Sequence, residues 1–449
     1  MQHEGAWTTV WPPLSLAFIA SIMKKENWDV QLIDCGVEGI NIDGLRWKMM
    51  EFKPDFIILN TATPTIVSDL SVTKLAKEVS PNAKVACFGI HVSVFPEESF
   101  HMAPGLDYVV RGEPEFTFKE LARSMKEEGV ITKISGLSYQ DGGVIVNNPD
   151  REFIDELDEL PFPAWHLITP NRYRLPFSGR PFLLITPVRG CPYKCIFCAA
   201  MTYYGRKLRY HSPERVVEEM NWIKKEFGVG DLLFWSELFN AKKDYVMAVC
   251  NEIERMDIKM NWVCSSRVDQ VDREMLNKIR RAGCWMISYG FESGCQEILD
   301  RSKKETNLVQ AREAVRLAKE AGLEVVGHFV FGLPGESRET IRETYKFAEG
   351  LGLDYAQFYC AVPFPGTTLY DLACSNGWLS NSNWPEFEQN YSVMNLPGLK
   401  ATEVMKLRRE AYKDFYLRPR RIIRVLKQIK DLNELKRFLK KALNFSTWI

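Results

Sequence analysis

Three cysteines lie close together near the middle of the chain, where Cys191, Cys195 and Cys198 fall within the segment CPYKCIFC. The flanking Gly190 and Pro192 favour a non-helical loop that can curl three thiolates around one object. Structural zinc normally takes four protein ligands, whereas a cluster of four irons held by three thiolates keeps one iron for a non-protein ligand. The spacing therefore predicts an iron–sulfur cluster. Two alternatives are a zinc site completed by Cys360 or His211, and three cysteines that bind no metal.

Composition excludes several classes of protein. Among 449 residues, 58 Lys and Arg balance 58 Asp and Glu, so no basic surplus is present for coating nucleic acid, and we expect no nucleic-acid partner. Hydrophobic residues at 46% and charged residues at 26% are typical of a folded globular protein rather than a disordered one. The longest apolar run, 14–23, is too short to span a bilayer, and no basic segment precedes it as in a secretory signal. We therefore expect a cytoplasmic protein without a transmembrane segment.

The cysteine cluster falls in a region, 181–375, in which strand and helix patterns alternate. The predicted strands are 182–188, 231–235, 261–265, 285–291, 324–331 and 355–361. Six strand–helix units indicate a partial (β/α)6 barrel of the TIM type, in which catalytic groups lie at the carboxyl ends of the strands. The cysteines come directly after the first strand and are therefore expected at that end.

The segment before this barrel, 1–150, also alternates, with predicted strands at 30–34, 55–60, 83–89 and 107–110. Buried strands between helices indicate an α/β, doubly wound parallel sheet. A connector, 151–180, contains Pro161, Pro163, Pro170 and Pro176 and is predicted to be an extended strap. The C-terminal region, 376–449, is predicted to be helical, and its basic residues indicate either a solvated helix face or contact with an anionic partner such as a membrane surface.

The CxxxCxxC spacing after the first strand of a partial barrel resembles the signature of radical S-adenosylmethionine (SAM) enzymes. The preceding segment 187–190 (PVRG) and Phe197 match the usual surroundings of that motif. The resemblance covers nearly the whole chain and is strongest to the branch with a cobalamin-binding domain in front, which includes the anaerobic magnesium-protoporphyrin ester cyclase and hopanoid methylases. The connector segment 157–165 (LDELPFPAW) is similar to the domain junction of that branch.

This resemblance implies an enzyme in which the three cysteines hold a [4Fe-4S] cluster. The open iron would bind SAM, and an electron from the cluster would cleave SAM to a 5′-deoxyadenosyl radical that abstracts a substrate hydrogen. The resemblance also implies cobalamin, and either methyl transfer to an unactivated carbon or a radical cyclisation. The expected partners are a small-molecule substrate and an electron donor such as flavodoxin or ferredoxin. Aromatic residues of the C-terminal part would suit a large apolar substrate, although they also fit an ordinary core.

Family-like positions at the strand ends supply groups that could hold SAM. Glu237 could accept from the amine, Arg267 could pair with the carboxylate through a bidentate fork, and Glu292 could accept from the amine or the ribose. Gly332 and Gly335 follow the fifth strand, where glycine permits close backbone approach. For each charged residue alone, a salt bridge or a helix cap is the alternative.

In the front domain, polar turns at the predicted strand ends are where an open parallel sheet binds its ligand. The resemblance implies cobalamin contacts there from a set of small or polar residues: Thr63, Gly89, His91, Gly112 and Glu113. The Asp-x-His-x-x-Gly motif of some cobalamin proteins is absent, and only 5–11 (GAWTTVW) precedes Pro12 and Pro13, where relatives have an apolar strand. Three alternatives follow. They are a front domain used for packing, a radical SAM enzyme without functional cobalamin, and a non-catalytic iron–sulfur or zinc protein.

Overall fold

The computed structural model describes residues 10–127, 129–175, 178–381 and 383–418. Pro176 of the predicted connector and most of the basic C-terminal residues, from Arg420 onward, lie outside the described residues. Two sheets organise the described part of the chain, and each is formed by one of the two alternating regions.

The N-terminal sheet has five strands among the described residues: β1 (Phe56–Asn60), β2 (Lys84–Phe88), β3 (Tyr108–Val110), β4 (Leu137–Asp141) and β5 (Val144–Asn147). They lie side by side in chain order; β1, β2 and β3 are parallel, and β4 and β5 are antiparallel. The accompanying helices are α1 (Leu14–Lys25), α2 (Cys35–Glu38), α3 (Ile42–Phe52), α4 (Ile66–Val79), α5 (Ile90–Val94), α6 (Pro96–Met102) and α7 (Glu115–Glu127).

Helices cover both faces of this sheet. Residues of α1 and α7 pack on one face, including Ile19 and Phe118, and residues of α3 and α4 pack on the other, including Met49 and Leu70. The doubly wound architecture predicted for this region is therefore confirmed, with an added antiparallel hairpin. That hairpin, 137–147, was not predicted, although Gly142 and Gly143 at its tip are a turn signal.

The predicted strand at 30–34 is wrong. The segment is extended, but it pairs with no strand of the described residues. Two of its side chains make contacts outside the N-terminal sheet. Leu32 packs in the barrel core, and Asp34 accepts a hydrogen bond from Tyr173 Oη of the connector at 2.9 Å. A cavity of about 260 Å³ separates this segment and α3 from β1.

The connector consists of extended chain with three short 3-10 turns, Leu157–Glu159, Trp165–Leu167 and Pro170–Arg172. Leu157 and Trp165 are fully buried, and Ala164 N donates to Ala17 O of α1 at 2.9 Å. The strap therefore packs against the N-terminal region before it enters the barrel.

The second sheet contains six parallel strands within the described ranges. They are β6 (Phe182–Ile185), β9 (Asp231–Phe234), β10 (Asn261–Ser266), β11 (Cys284–Glu292), β12 (Glu324–Phe331) and β13 (Tyr355–Cys360), adjacent in that order. A separate two-stranded hairpin, β7 (Val188–Arg189) and β8 (Arg209–Tyr210), follows β6.

The helices of this part are α8 (Ala200–Tyr204), α9 (Pro213–Phe227), α10 (Lys243–Arg255), α11 (Arg273–Arg281), α12 (Gln296–Arg301), α13 (Leu308–Glu320), α14 (Arg338–Gly350), α15 (Thr368–Ser375) and α16 (Ala401–Tyr416). The six-stranded partial barrel is confirmed.

Alternate residues of these strands differ in exposure. On one face, Trp262, Phe329 and Phe358 are fully buried against helices. On the opposite face, Met286 and His328 are only half-buried. This opposite face is therefore less completely covered than the face that the helices bury.

The helical C-terminal region is represented by α16, which covers β13 through Arg408 and Tyr412. Between α15 and α16 the described chain is irregular, apart from a short 3-10 turn at Trp384–Glu386. Among the helices of the described residues, none is both long and apolar enough to cross a membrane.

Candidate active site at the carboxyl edges of the two sheets

The cysteine loop follows β7 and contains no helix from Cys191 to Ala199. Backbone hydrogen bonds tie it to three places: Cys191 N donates to Gly205 O, Ile196 N donates to Ser302 O, and Ile196 O accepts from Leu369 N, at 2.9–3.1 Å. At Gly190 the backbone has φ +94°, and a Cβ would lie 2.2 Å from Lys207 O. Only glycine fits there, so the loop enters along a fixed path.

The three cysteines are half-buried, and their thiols lie close enough to influence one another's charge. Burial raises the pKa of Cys191 and Cys195, and it raises the pKa of Cys198 to about 12. Negative charge on Cys191 and Cys195 raises the Cys198 value further, while Lys304 lowers the pKa of all three thiols. Buried thiolates need a positive counterpart, and bound iron supplies one, so this donor set fits an iron–sulfur cluster.

The zinc alternative finds no support in the geometry. Cys360 packs beside Met405, with 3.6 Å between the sulfurs, and His211 Nδ1 lies 2.8 Å from the Asp158 carboxylate. Within the part of the chain that the structure describes, no three His, Cys, Asp or Glu side chains are arranged to enclose a single metal ion.

Arg267 follows β10 and contacts the cysteine loop at Tyr193. Its guanidinium stacks on the ring of Tyr193, 3.4 Å from the ring centroid, and pairs through Nε and Nη2 with Asp269 at 2.9 and 3.0 Å. Nη2 also donates to Glu305 O at 3.1 Å. Nη2 thus uses both of its hydrogens, and only Nη1 makes no hydrogen bond to a described residue. A single donor, and not the bidentate fork expected from the sequence, is therefore left for a ligand carboxylate.

Glu237 follows β9 and faces the start of the same loop, where its Oε2 accepts from Gly190 N at 3.2 Å. Burial raises the pKa of this carboxyl to about 7. Within the described residues Glu237 has no ion-pair partner, so a cationic group beside it would relieve the cost of charging a buried carboxylate.

Glu292 ends β11 with φ +63° and pairs with Lys304 at 2.7 Å. Both side chains are about nine-tenths buried, at 10% and 8% exposure. Burial works to lower the pKa of Lys304, but Glu292 and the Cys195 thiolate outweigh it and raise the value. Lys304 therefore places a fixed positive charge beside the cysteines.

Gly332 and Gly335 lie on the loop after β12. Glu336 closes that loop by accepting from Gly332 N and Leu333 N. Burial raises the pKa of this carboxyl to about 8. The structure thus brings all five residues expected at the SAM site to the carboxyl edge of the barrel sheet, in loops that follow β9, β10, β11 and β12.

The carboxyl edge of the N-terminal sheet is built mainly from small residues. Gly89 has φ +138°, and a Cβ there would lie 2.2 Å from Thr61 O, so the turn after β2 closes directly onto the turn after β1. Thr63 is buried in that turn, which Asp69 holds by accepting from Ala62 N and Thr65 Oγ1. A Cβ on Gly112 would meet nothing within 4 Å, so space is open beside the third turn.

His91 lies at the same edge and is fully buried, yet neither ring nitrogen has a hydrogen-bond partner among the described residues. Its ring packs edge-on against Trp384 and Phe95, with centroids 4.7 and 5.5 Å apart. Burial lowers the pKa of His91 to about 4. The open space beside Gly112 fits a large ligand at this edge, whereas the His91 ring lies beneath Trp384 and Phe95.

Glu113, expected among the cobalamin contacts, lies beside this edge but points into the barrel. One carboxylate oxygen accepts from Arg189 at 3.1 Å, and the other accepts from Arg209 at 2.7 Å and from Ile154 N at 2.8 Å. Its side chain is 1% exposed. Both oxygens are already bonded within the protein, which assigns Glu113 to the contact between the two regions.

Sequence reasoning gave no role to several residues that shape these edges: Asp69, Tyr193, Asp269, Lys304 and Glu336. Trp384 was considered only as one of the C-terminal aromatic residues that could line a pocket or belong to the core. Lys304 belongs to the charged run 301–305 (RSKKE), which reads as a solvated surface. Nothing local distinguishes it from Lys303, which is exposed, whereas Lys304 is buried. The ion pair of Asp269 with Arg267 could have been predicted most easily, because the two residues lie only two positions apart in the sequence.

Comparison with known proteins places this geometry in a family. The Radical SAM superfamily model matches residues 185–348, and the B12 binding domain model matches residues 6–122. An uncharacterized methyltransferase of Pyrococcus horikoshii is 35% identical over 93% of this chain and 90% of its own length. The anaerobic magnesium-protoporphyrin IX monomethyl ester cyclase of Cereibacter sphaeroides is 30% identical over 80% of this chain, which spans 60% of that relative.

Solved structures agree in fold. The cobalamin-dependent SAM radical enzyme OxsB, solved with aqua-cobalamin and SAM, superposes with a TM-score of 0.77 at 18% identity, covering 97% of this chain and 69% of OxsB. The radical SAM methyltransferase TsrM of Kitasatospora setae, solved with cobalamin and a [4Fe-4S] cluster, gives 0.73 at 17% identity, covering 89% and 88%. Together with the matched domains and the 35% identical relative, the cysteine loop shows that the chain belongs to the radical SAM superfamily, in the branch that carries a B12-binding domain ahead of the radical SAM domain.

Proposed function

We propose that the chain is a radical SAM enzyme that uses cobalamin to methylate, or to cyclise, an unactivated carbon of a small-molecule substrate. One observation carries the proposal. The cysteine loop lies at the carboxyl edge of the barrel beside Glu237, which forms no ion pair with a described residue, and Arg267, whose Nη1 donates to none of them. SAM has an amine and a carboxylate that match these two groups.

Cys191, Cys195 and Cys198 would each bind one iron of a [4Fe-4S] cluster. When bound, the cluster supplies the electron that cleaves the sulfonium of SAM. The protein contributes position and charge. Tyr193 is held under Arg267 and accepts from Gln270 Nε2 at 2.9 Å, so the loop between the first two cysteines is fixed.

The pairing of the charged groups divides their roles toward SAM. Glu292 already has Lys304 as its counter-ion, so its remaining oxygen suits a neutral hydroxyl such as those of the ribose. Glu237 lacks such a partner among the described residues and suits the amine. Arg267 Nη1 suits the carboxylate, and Gly332 and Gly335 would allow the nucleoside to approach the backbone after β12.

Thr63, Gly89, His91 and Gly112 would contact cobalamin. The space beside Gly112 suits the bulk of the corrin. His91 would offer its two nitrogens, unpartnered among the described residues, to polar groups of the cofactor once Trp384, which packs on the ring, moves aside. The cofactor supplies a transferable methyl group when bound. Glu113 is left out of this set because both its oxygens are bonded to the barrel and the connector.

The open face of the barrel favours an apolar substrate. Trp235, 44% exposed after β9, lies 5.1 Å from the ring of Trp11, and Trp11 lies 5.8 Å from Phe182. These rings form an aromatic wall that suits a large apolar molecule.

Two exposed basic residues flank the cysteine loop. Lys194 lies between the first two cysteines, and Arg206 follows Gly205, whose carbonyl accepts from Cys191 N. Their positive charge suits an acidic one-electron donor such as flavodoxin or ferredoxin. The cytoplasm, where thiols stay reduced, suits a cysteine-held cluster.

Anaerobic reconstitution tests the proposal. The purified chain is given iron, sulfide and hydroxocobalamin, desalted, and then supplied with SAM and dithionite. We expect bound iron, a corrin absorbance that persists through gel filtration, and 5′-deoxyadenosine by mass spectrometry. Zinc in place of iron, or a chain that stays colourless, would overturn the assignment.

A second candidate is a radical SAM enzyme without a functional corrin. The observation that favours it is Trp384, which packs on His91 and covers part of the N-terminal edge. It predicts 5′-deoxyadenosine with no retained corrin absorbance in the same experiment.

A further inference from the structure

Four buried charged residues join the cysteine loop to the N-terminal sheet. Arg189 and Arg209 come from the barrel region, and Glu113 and Glu115 come from the turn and helix that follow β3. All four side chains are between 1% and 3% exposed. We call these residues the Arg–Glu network.

The two arginines stand at the base of the cysteine loop. Arg189 of β7 is paired directly with Arg209 of β8, and the whole segment 190–208, with all three cysteines and α8, lies between them. Arg209 also donates through Nη2 to Tyr204 O at 2.7 Å, which fixes the end of α8. Whatever holds these two side chains therefore holds both ends of the loop.

The two glutamates hold them from the other sheet. Arg189 bonds Glu113 at 3.1 Å and Glu115 at 2.6 Å, and Arg209 bonds Glu113 at 2.7 Å. Gly112, the residue before Glu113, belongs to the open part of the N-terminal edge and donates to Ser93 Oγ at 3.0 Å. The segment 112–115 therefore forms part of that edge and also forms the ion pairs that hold the ends of the cysteine loop.

Stability alone does not explain this arrangement. Removing four charges from water is costly, and an apolar contact of similar volume often serves a fold equally well. Several polar atoms of the network have no hydrogen-bond partner among the described residues: Arg189 Nε, Arg209 Nε and Glu115 Oε2. Ion pairs are directional, whereas an apolar contact is not. A network of ion pairs therefore fixes the two surfaces in one relative position.

We infer that the Arg–Glu network is a positioning device that fixes the cysteine loop relative to the carboxyl edge of the N-terminal sheet, and so sets the separation between the two cofactors. This inference rests on the proposed function for the identity of the cofactors. The four residues touch neither cofactor and act through Gly112 on one side and through the ends of the cysteine loop on the other.

The test compares Glu113→Gln with Glu219→Gln. Glu219 is also a buried glutamate bonded to an arginine, Arg215 at 2.9 Å, but it lies within α9, away from both edges. Glu115→Gln is a second variant that removes one ion pair and leaves Glu113 in place, which covers the case in which Glu113→Gln does not fold.

The first readout is hydrogen exchange of the chain as purified, which needs no cofactor. In Glu113→Gln we expect exchange of 190–208 and of 111–116 to accelerate about tenfold, equivalent to about 1.4 kcal/mol, with both segments changing together. Glu219→Gln should leave both segments unchanged. Unchanged exchange in Glu113→Gln and Glu115→Gln would overturn the inference.

The second readout is the magnetic interaction between cob(II)alamin and the reduced cluster in the loaded protein, measured by electron paramagnetic resonance. Wild type and Glu219→Gln should give one narrow distribution of cofactor separations, and Glu113→Gln a broader one with equal iron content. A distribution identical to that of wild type would overturn the positioning role. A wild type that takes up no corrin would instead count against the proposed function, and the exchange result would still decide whether the network holds the loop.

Discussion

The carboxyl edges of the two sheets differ in how their polar groups are satisfied. At the barrel edge, charged side chains pair with one another, as Arg267 does with Asp269 and Glu292 with Lys304. At the N-terminal edge, backbone turns and small residues dominate, and His91 lies buried with neither nitrogen bonded to a residue that the structure describes.

The difference follows from the cost of burial. A buried charge without a partner is far more expensive than a buried neutral imidazole, so most charges at the barrel edge are paired within the protein. Glu237 is an exception, and burial raises its pKa to about 7. Few hydrogen-bonding atoms at the barrel edge remain unused, and each points in a defined direction, as a small charged ligand requires. The N-terminal edge keeps open space and one uncharged polar group, which suits a bulky ligand bound mainly by shape.

The largest effect is expected at the cysteines. Cys191→Ala should abolish 5′-deoxyadenosine formation and lower the bound iron, because one of three cluster ligands is lost. Circular dichroism should match wild type, since the loop is held by backbone hydrogen bonds that the substitution keeps. Cys374→Ala, at an exposed position on α15, is the control. Full iron and full cleavage in Cys191→Ala would refute the cluster assignment.

Glu292→Gln tests whether the barrel edge depends on internal pairing. It leaves Lys304 buried without a counter-ion, which should cost about 3–5 kcal/mol in the free energy of unfolding, measured by urea titration. Glu254→Gln breaks a comparable pair with Lys278, but Glu254 is 43% exposed, so its loss should be about 0–1 kcal/mol. Equal losses in the two variants would contradict the distinction drawn between buried and exposed pairs.

Arg267→Ala should weaken SAM binding to the reconstituted protein by about 2–5 kcal/mol, measured by equilibrium binding. Part of the loss would come from Tyr193, which loses the guanidinium stacked on its ring. Arg267→Lys keeps the charge but not the planar fork and should recover only part of the affinity. An affinity like that of wild type in Arg267→Ala would remove its role at the SAM site.

The smallest effect concerns pH at the N-terminal edge. Because the pKa of His91 is lowered from 6.5 to about 4 in the folded state, unfolding takes up a proton between those values. Stability contributed by the neutral imidazole is present above about pH 6.5 and is lost as pH falls toward 4, by at most about 1.4 kcal/mol per pH unit.

His91→Phe should flatten this part of the stability profile and should also reduce the amount of cobalamin retained after gel filtration. His101→Phe, at an exposed position on α6, should keep the wild-type profile. A His91→Phe profile as steep as that of wild type would show that this imidazole is not the group that titrates.

Local patterns predicted the barrel well because helices bury one face of its sheet, which leaves an apolar run in each strand. The β12 strand, Glu324–Phe331, has the bounds expected from its apolar run. The pattern failed at 30–34, which has the same apolar character. Strand pairing depends on a neighbouring strand edge, and this segment instead forms a hydrogen bond with Tyr173. The hairpin β4–β5 was missed for the converse reason, since its short strands depend on pairing with β3.

The sequence by itself determined the cysteine loop, the order of strands and helices in the barrel, and the strand ends at which charged residues would meet, because these depend on spacing along the chain. Only the tertiary structure decided which charges pair. It buried Lys304 beside Glu292, turned Glu113 from the N-terminal edge toward the β7–β8 hairpin, and left His91 without a hydrogen-bond partner among the described residues. The physical reason is that the cost of a buried charge or polar group depends on what surrounds it in space, and those neighbours can lie far away in the chain, as Arg209 lies 96 residues from Glu113.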